Sequence, residues 1–179
     1  YTSGLFVNME TDTPNSYMSI GSSAGATHQR PAADADGNYP FEVGIATIPQ
    51  VDAANPKVIS QGPSLCIFQK DNPQEVLATW LFAKFLTTDV NFQASVSMNN
   101  GYAPVIQSVK NNQVYADFLA SANTANIQAY AVKVALDQAN AYYVSPAFNG
   151  STKARDQVGA LLQYCFTTKA DDIDAMILK

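Results

Sequence analysis

The sequence predicts an α/β or α+β architecture that is rich in helix and has short mixed strands. Residues 41–48 and 64–68 have the alternation and the β-branched content of strands. Several longer segments repeat apolar residues at the three- and four-residue spacing of helices. Strands and helices that succeed one another along one chain are typical of these two fold classes.

The first forty residues are rich in Thr, Asn, Pro, Ser and Gly, which predicts loops with short strands. The clearest strand there, residues 17–20, leads into a turn of small residues, 21–25. Such a turn makes backbone amides available to a ligand. The next predicted strand, 41–48, ends at Pro49, because proline cannot donate to a strand ladder.

The most definite helix is predicted to begin at Asp71, which is followed by Gln74 at the spacing of a capping box. Its apolar positions are Val76, Leu77, Trp80, Leu81, Phe85 and Leu86. Because Trp80 lies on this stripe, we expect it to be a core residue rather than a stacking platform for a ligand.

Further helices are predicted at residues 89–98, 112–120 and 126–141, from 150 onward, and from 168 onward. The pair Asn100 and Gly101 is a helix stop signal after the first of these. Thr168 and Asp171 have the spacing of a capping box at the start of the last. In the helix after Gly150, residues Val158, Leu161, Leu162 and Cys165 are expected on one apolar face.

Composition excludes several classes of protein. The 179 residues include 10 Lys and Arg against 15 Asp and Glu, for a net charge of -5. This balance argues against nucleic-acid binding, which needs a basic field. Charged residues make up only 14% and hydrophobic residues 47%, so disorder is not expected. The uncharged stretch 90–109 is too polar to span a membrane.

The sequence contains no recognisable motif for catalysis or for metal binding. His28 is the single histidine, and its neighbours form no nucleophile elbow. Residues 34–38 have only a partial likeness to a calcium loop and are predicted to be a surface turn. Cys66 and Cys165 lie far apart in apolar settings, so they are expected to be buried free thiols. We therefore predict a protein that is not an enzyme and has no cofactor or metal.

Two residues remain as candidates for ligand contact. Arg155 lies near the start of the helix after Gly150, where free amides and the helix dipole favour an anion, and a guanidinium suits phosphate, carboxylate or paired hydroxyls. Tyr102, between Gly101 and Pro104, suits stacking on a ligand. From the residues alone, a helix cap with a solvated cation is the favoured interpretation of Arg155. For Tyr102, an ordinary half-buried tyrosine is as open as a ligand contact.

Four motifs follow one another along the chain: IGSSAG at 20–25, GPSL at 62–65, WLFAKFLT at 80–87 and GYAPV at 101–105. In this order and spacing they resemble the C-terminal half of the extracellular solute-binding proteins of ABC importers. The resemblance is nearest to their glycerol-3-phosphate and maltose type and extends from about residue 17 to residue 177. Cys66 departs from the family pattern, which often has an aromatic residue there.

This resemblance implies a periplasmic-binding-protein-like fold of two lobes that close on a solute. It assigns residues 1–61 to part of the C-terminal lobe, 62–105 to part of the N-terminal lobe after a hinge crossing, and 106–179 to helices that return to the C-terminal lobe. The absence of an initiator Met and of a helix stop signal at the end predicts a piece of a longer protein.

The resemblance also implies four ligand contacts. Ser22 would offer a hydroxyl or amide, Gly62 an amide at close approach, Tyr102 a hydroxyl or ring face, and Arg155 a bidentate charged contact. The expected solute is a carbohydrate or a glycerophosphate, and the expected partners are the membrane subunits of the importer. The expected location is the periplasm or, for a lipoprotein, the cell surface.

Two other kinds of function remain open from the sequence. An exported glycan-active enzyme would need two carboxylates facing each other across a cleft, and the acidic residues here are scattered. A surface module for protein interaction would use an aromatic and Asn-rich face. The sequence also leaves open whether this chain pairs with a second copy to complete its sheets.

Overall fold

The structure, a computed structural model, describes residues 17–168. The chain divides into two compact units, the first ending at Tyr143 and the second beginning at Val144. Within residues 17–168, both clusters of buried apolar residues and both strands lie in the first unit. The second contains a single long helix in its described part.

Helices dominate the described residues. The α-helices are α1 (Pro73–Thr88), α2 (Val90–Asn100), α3 (Gln113–Ala120), α4 (Ile127–Asp137) and α5 (Ser151–Thr167). Short 3-10 helices are η1 (Ser23–Gln29), η2 (Gln107–Asn111) and η3 (Ala139–Ala141). The strands are β1 (Val58–Ile59) and β2 (Tyr142–Tyr143). The helix-rich content and short strands agree with the sequence prediction.

In the described part of the first unit, the four α-helices begin at Asn or Asp caps, whose side-chain oxygens accept hydrogen bonds from backbone amides of the first turn. The caps are Asn72, Asp89, Asn112 and Asn126. The predicted cap Asp71 is wrong by one residue, because Asn72 accepts the Gln74 amide and Pro73 then takes the first helical position. The predicted helix over 126–141 is also too long, since α4 ends at Asp137.

The strand predictions at 17–20, 41–48 and 64–68 are wrong. These segments form no ladder with any other segment among residues 17–168. Instead β1 and β2 pair in parallel, with Val58 opposite Tyr142 and Ile59 opposite Tyr143. An alternating pattern describes a strand's two faces but does not supply its partner, and without a partner the backbone is extended coil.

The core of the first unit has two clusters joined by α4. Ile127 and Ala131 of α4 pack with Ala26 of η1 and with Val43. Val132 of α4 belongs to the second cluster, whose other buried members are Ala94, Val109 and Tyr115. Because α4 contributes to both clusters, it holds η1 against the α2–α3 region.

One polar pair lies inside the second cluster. Tyr115 is fully buried, and its hydroxyl lies 3.0 Å from that of Ser97, which is also buried. Burial raises the pKa of the Tyr115 phenol, and the hydrogen bond with Ser97 lowers it by less. The pair satisfies two hydroxyl groups that would each be costly to bury alone.

Side-chain burial differs from the prediction at Trp80 and at the cysteines. Trp80 is 55% exposed, and α1 has no buried residue. Cys66 is exposed and Cys165 is partly exposed, both as free thiols. Apolar spacing identifies which residues share a face, but burial also requires an element that covers the face. Among the described residues, α1 has an aromatic contact with α2, where the Phe85 and Phe92 ring centroids are 5.3 Å apart.

In the second unit, α5 follows Gly150, whose φ of +93° is the left-handed conformation that glycine favours. Its predicted apolar face, which includes Val158, Leu161 and Leu162, is exposed rather than buried. The helix predicted from Thr168 lies outside the described residues. None of the helices over residues 17–168 is both long enough and apolar enough to cross a membrane.

Candidate functional site

A cavity of about 400 Å³ lies in the first unit where η1, the end of α2 and the start of α4 meet. We call it the polar cavity. η1 and its cap contribute Ser22, Ala24, Gly25, Thr27 and His28. The remaining lining residues are Asn99, Asn100, Tyr102 and Gln128. None of the described residues that line it is Asp, Glu, Lys or Arg, so hydroxyl, amide, imidazole and phenol groups dominate its chemistry.

Ser22 caps η1 at one wall of the polar cavity. Its Oγ accepts a hydrogen bond from the Ala24 amide at 3.3 Å, and its carbonyl oxygen accepts one from the Gly25 amide at 2.9 Å. The Ser22 side chain remains exposed, so its hydroxyl hydrogen can be donated to a bound molecule. The predicted turn of small residues is therefore the start of a 3-10 helix.

Gly101 allows the end of α2, which forms a second wall of the polar cavity, to lie close to η1. It ends α2 with φ of +73°, and its amide donates to the Ser97 carbonyl oxygen at 2.9 Å. A Cβ atom at this position would lie 2.8 Å from the Ser23 carbonyl oxygen and 3.1 Å from the Ala24 Cα. Only glycine fits here, and the backbone contact places Asn100 and Tyr102 beside η1.

Gln128, in the first turn of α4, completes the polar cavity. Its Nε2 donates to the Met98 carbonyl oxygen at 2.9 Å. Met98 is in the last turn of α2, where carbonyl groups lack partners within the helix. Gln128 therefore binds α4 to the end of α2 and orients its own amide.

The structure brings together two of the four residues that the resemblance assigns to ligand contact. Ser22 and Tyr102 line the polar cavity, although 80 positions separate them in the sequence. Gly62 lies outside this lining, in an extended segment where an added Cβ would meet nothing within 4 Å. Arg155 belongs to the second unit, where its Nη2 donates to Ser145 Oγ at 3.0 Å.

Sequence reasoning missed several lining residues. The sequence points to His28 only as a possible catalytic histidine and to Asn100 only as part of a helix stop signal. Asn99 lies two residues before Gly101. Its polar side chain, next to the Gly-Tyr motif, is the signal that could have identified it. Gln128 had no local signal, because it reaches the site through the packing of α4 on α2.

Arg30 lies outside the polar cavity and has a structural role. Its Nη1 donates to the carbonyl oxygens of Thr124 and Ala125, both at 3.2 Å. Its Nη2 donates to the Tyr39 hydroxyl at 2.7 Å, and the guanidinium lies over the Tyr39 ring. These contacts tie the end of η1 to the loop before α4.

The turn at residues 34–38 is a surface turn, as predicted. Asp34 Oδ1 accepts hydrogen bonds from the backbone amides of Asn38 at 2.7 Å and Asp36 at 3.0 Å. Donation by the Asn38 amide is the main cause that lowers the pKa of the Asp34 carboxyl. No group of three or more His, Cys, Asp or Glu side chains suited to a metal ion occurs in residues 17–168.

A polar cavity walled by hydrogen-bonding groups, with no Asp, Glu, Lys or Arg among its described lining residues, defines a candidate site for a small polar molecule. A family model for bacterial extracellular solute-binding proteins matches residues 12–125, which is more than half of the chain. The chain belongs to this family. No curated protein and no solved structure matches it.

Membership of the family establishes the coarse function. These proteins bind a small-molecule solute for ABC transport, act with the membrane components of the transporter, and are generally not enzymes. They are located in the periplasm or at the cell surface. The matched residues include Ser22 and Tyr102 of the polar cavity.

Proposed function

We propose that this protein captures a carbohydrate in the polar cavity and delivers it to an ABC importer. The observation that carries the proposal is the meeting of Ser22 and Tyr102 in one cavity whose described lining is polar and has no Asp, Glu, Lys or Arg. The resemblance to the sugar-binding and glycerophosphate-binding type assigns ligand contacts to both residues. Family membership supports solute binding, and the chemistry of the cavity supports the carbohydrate.

Carbohydrates match this lining for two physical reasons. Each sugar hydroxyl both donates and accepts hydrogen bonds, and the side chains of Ser22, Asn99, Asn100 and Gln128 offer partners of both kinds. The apolar face of a sugar ring can also stack on the Tyr102 ring, which is 43% exposed. The volume of about 400 Å³ lies within the range of small-molecule sites, roughly 300–1,000 Å³.

The two-lobe arrangement is part of the same proposal. Residues 1–61 and 106–179 would belong to one lobe and 62–105 to the other, with a hinge near Gly62. Closure would be driven by the additional contacts that a bound solute makes in the closed state. A lipid anchor at the cell surface, instead of a free periplasmic form, is compatible with this function.

Replacement of Tyr102 tests the carbohydrate proposal. Mono- and disaccharides are first screened by thermal shift, and the affinity of the best sugar is measured by calorimetry. Tyr102→Ala should weaken its binding about tenfold or more, since it removes a ring face and a hydroxyl worth about 1–2 kcal/mol together. The unfolding temperature should change little, because the ring is half exposed.

Tyr143→Ala is the matched control for this test. Tyr143 is exposed to nearly the same extent, 44% against 43%, and does not line the polar cavity. The control should bind the sugar as the unmodified protein does. The proposal is contradicted if no sugar raises the unfolding temperature or if both variants bind equally well.

The predicted role of Arg155 is tested separately. Its side chain is exposed, and its hydrogen bond to Ser145 is a surface contact worth little to stability. If Arg155 contacts solute, Arg155→Ala should abolish binding and leave the unfolding temperature unchanged. Lys153→Ala, two residues earlier on α5, removes the same charge from the same helix and should have no effect on affinity. Unchanged affinity for Arg155→Ala would refute the assignment.

A further inference from the structure

The three amide side chains of the polar cavity share one hydrogen-bonding arrangement. Asn99 Nδ2 donates to the Ser95 carbonyl oxygen at 2.9 Å, and Asn100 Nδ2 donates to that of Val96 at 3.3 Å. Gln128 Nε2 donates to that of Met98 at 2.9 Å. Each NH₂ group is therefore directed to a carbonyl group of α2.

Within residues 17–168, this arrangement leaves all three amide oxygens without a partner, whereas Asn99 uses both of its N–H groups, the second on Ser95 Oγ at 3.2 Å, and Asn100 and Gln128 each keep one N–H free. Among the described residues, no donor bonds to Asn99 Oδ1, Asn100 Oδ1 or Gln128 Oε1. An amide oxygen can accept two hydrogen bonds and donate none. A molecule in the polar cavity consequently meets more acceptors than donors on the side formed by α2 and α4.

The end of α2 adds to this polarity. Asn99 and Asn100 are the last two residues of the helix, and both line the polar cavity. The carboxyl end of an α-helix carries partial negative charge from carbonyl groups that lack helical partners. No Lys or Arg among the described lining residues offsets it. A phosphate group here would face amide oxygens and a negative helix end without a Lys or Arg side chain to pair with.

We infer that the polar cavity selects an uncharged, hydroxyl-donating part of its solute and excludes a phosphate group. The inference rests on the proposed function and narrows it, since it favours a neutral carbohydrate over its phosphate ester. Hydroxyl hydrogens of the solute bond to the oxygens of Asn99, Asn100 and Gln128. A phosphate ester at physiological pH is mostly a dianion, whose oxygens accept hydrogen bonds but do not donate them. Beside the amide oxygens of α2 and α4 it loses hydration without compensation.

The experiment compares neutral solutes with their phosphate esters on the full chain. Calorimetry is carried out with a panel of mono- and disaccharides and glycerol, each beside its phosphate ester, and with inorganic phosphate alone. The best neutral member should bind at least about tenfold more tightly than its ester, and inorganic phosphate should not bind. Equal or tighter binding of the ester overturns the inference but leaves the proposed solute-binding role intact. Binding of no member overturns the proposed carbohydrate function and this inference with it.

Gln128→Lys tests the preference for neutral solutes over phosphate esters by changing the protein instead of the solute. A lysine ammonium can make the same donation to the Met98 carbonyl oxygen, so the junction of α2 and α4 is retained. It also places a positive charge beside the polar cavity. The variant should reverse the preference, with the ratio of ester to neutral affinity rising about tenfold or more.

Gln113→Lys is the control for added charge. Gln113 lies on α3 outside the polar cavity, and its Nε2 donates to Asp117 Oδ1 at 2.7 Å, a contact that lysine can replace. This variant should keep the preference of the unmodified protein. The inference is overturned if Gln128→Lys folds and its preference does not change, or if both lysine variants shift it equally.

Discussion

Gly101→Ala is expected to lower the free energy of unfolding by about 3 kcal/mol. Two effects add at this position. The φ of +73° is strained for any residue with a Cβ, and the Cβ would lie 2.8 Å from the Ser23 carbonyl oxygen. The atoms that must move are backbone atoms of Ser23 and Ala24, which cannot rotate away as the end of a side chain could. Urea denaturation measures the loss.

Solute binding should fall in the same variant. Separation of Ser23 from Gly101 moves η1 away from the end of α2. Ser22 caps η1 and Tyr102 follows the end of α2, so these two residues move apart as well. At a temperature where the variant is still folded, calorimetry with the best sugar should show an affinity at least about tenfold weaker.

Gly37→Ala separates conformational strain from the steric contact. Gly37 has φ of +84°, close to that of Gly101, but an added Cβ there would meet nothing within 4 Å. The control should lose only about 1 kcal/mol and bind solute normally. If Gly101→Ala is no less stable than Gly37→Ala, the close backbone approach does not hold the site together.

Local features of this fold were predictable from the sequence because local chemistry determines them. Gly101 as a helix end follows from the left-handed conformation that glycine alone adopts freely. Asp89 as a helix start follows from a carboxylate that accepts the Phe92 amide. The shift from Asp71 to Asn72 shows the limit of such reasoning, since two adjacent residues could both cap and Pro73 decides between them.

Long-range pairing was not predictable. β1 pairs with β2 across more than eighty residues, and neither strand has a distinctive pattern. Residues 41–48 have the pattern but no partner within the described chain. Trp80 is exposed for a similar reason. The apolar spacing of α1 identifies which residues share a face, but it does not identify an element that covers that face.

The candidate site also has a part that the sequence predicts and a part that it does not. Ser22 and Tyr102 could be proposed because each lies in a motif that resembles those of a known family. Their common cavity depends on the contact between Gly101 and Ser23, and Gln128 joins it through a bond to Met98. Both contacts connect positions far apart in the chain. A single sequence has no signal for contacts of this kind.

Tyr115→Ala is expected to lower the free energy of unfolding by about 4 kcal/mol, within the range for deletion of a large buried aromatic side chain. The substitution removes a fully buried ring that stacks with Phe118, at 6.0 Å between centroids. It also leaves the buried Ser97 hydroxyl without the Tyr115 oxygen as its partner. Tyr115→Phe isolates the second effect and should lose only about 1–2 kcal/mol. Equal losses in the two variants would contradict a role for ring packing.

The pH dependence of the free energy of unfolding tests the burial of the Tyr115 hydroxyl separately from the packing of its ring. Burial raises the pKa of Tyr115 above its ordinary value of 10.0, so the folded chain keeps the proton that the unfolded chain releases near that pH. The stabilising contribution is full below pH 10 and is lost as the pH rises through the folded-state pKa. Tyr115→Phe should therefore show a shallower decline in the free energy of unfolding above pH 10. A smaller decline should remain, because burial also raises the pKa of Tyr142. An unchanged slope in urea titrations at pH 9 to 11 would show that Tyr115 ionises as freely in the folded protein as in the unfolded chain.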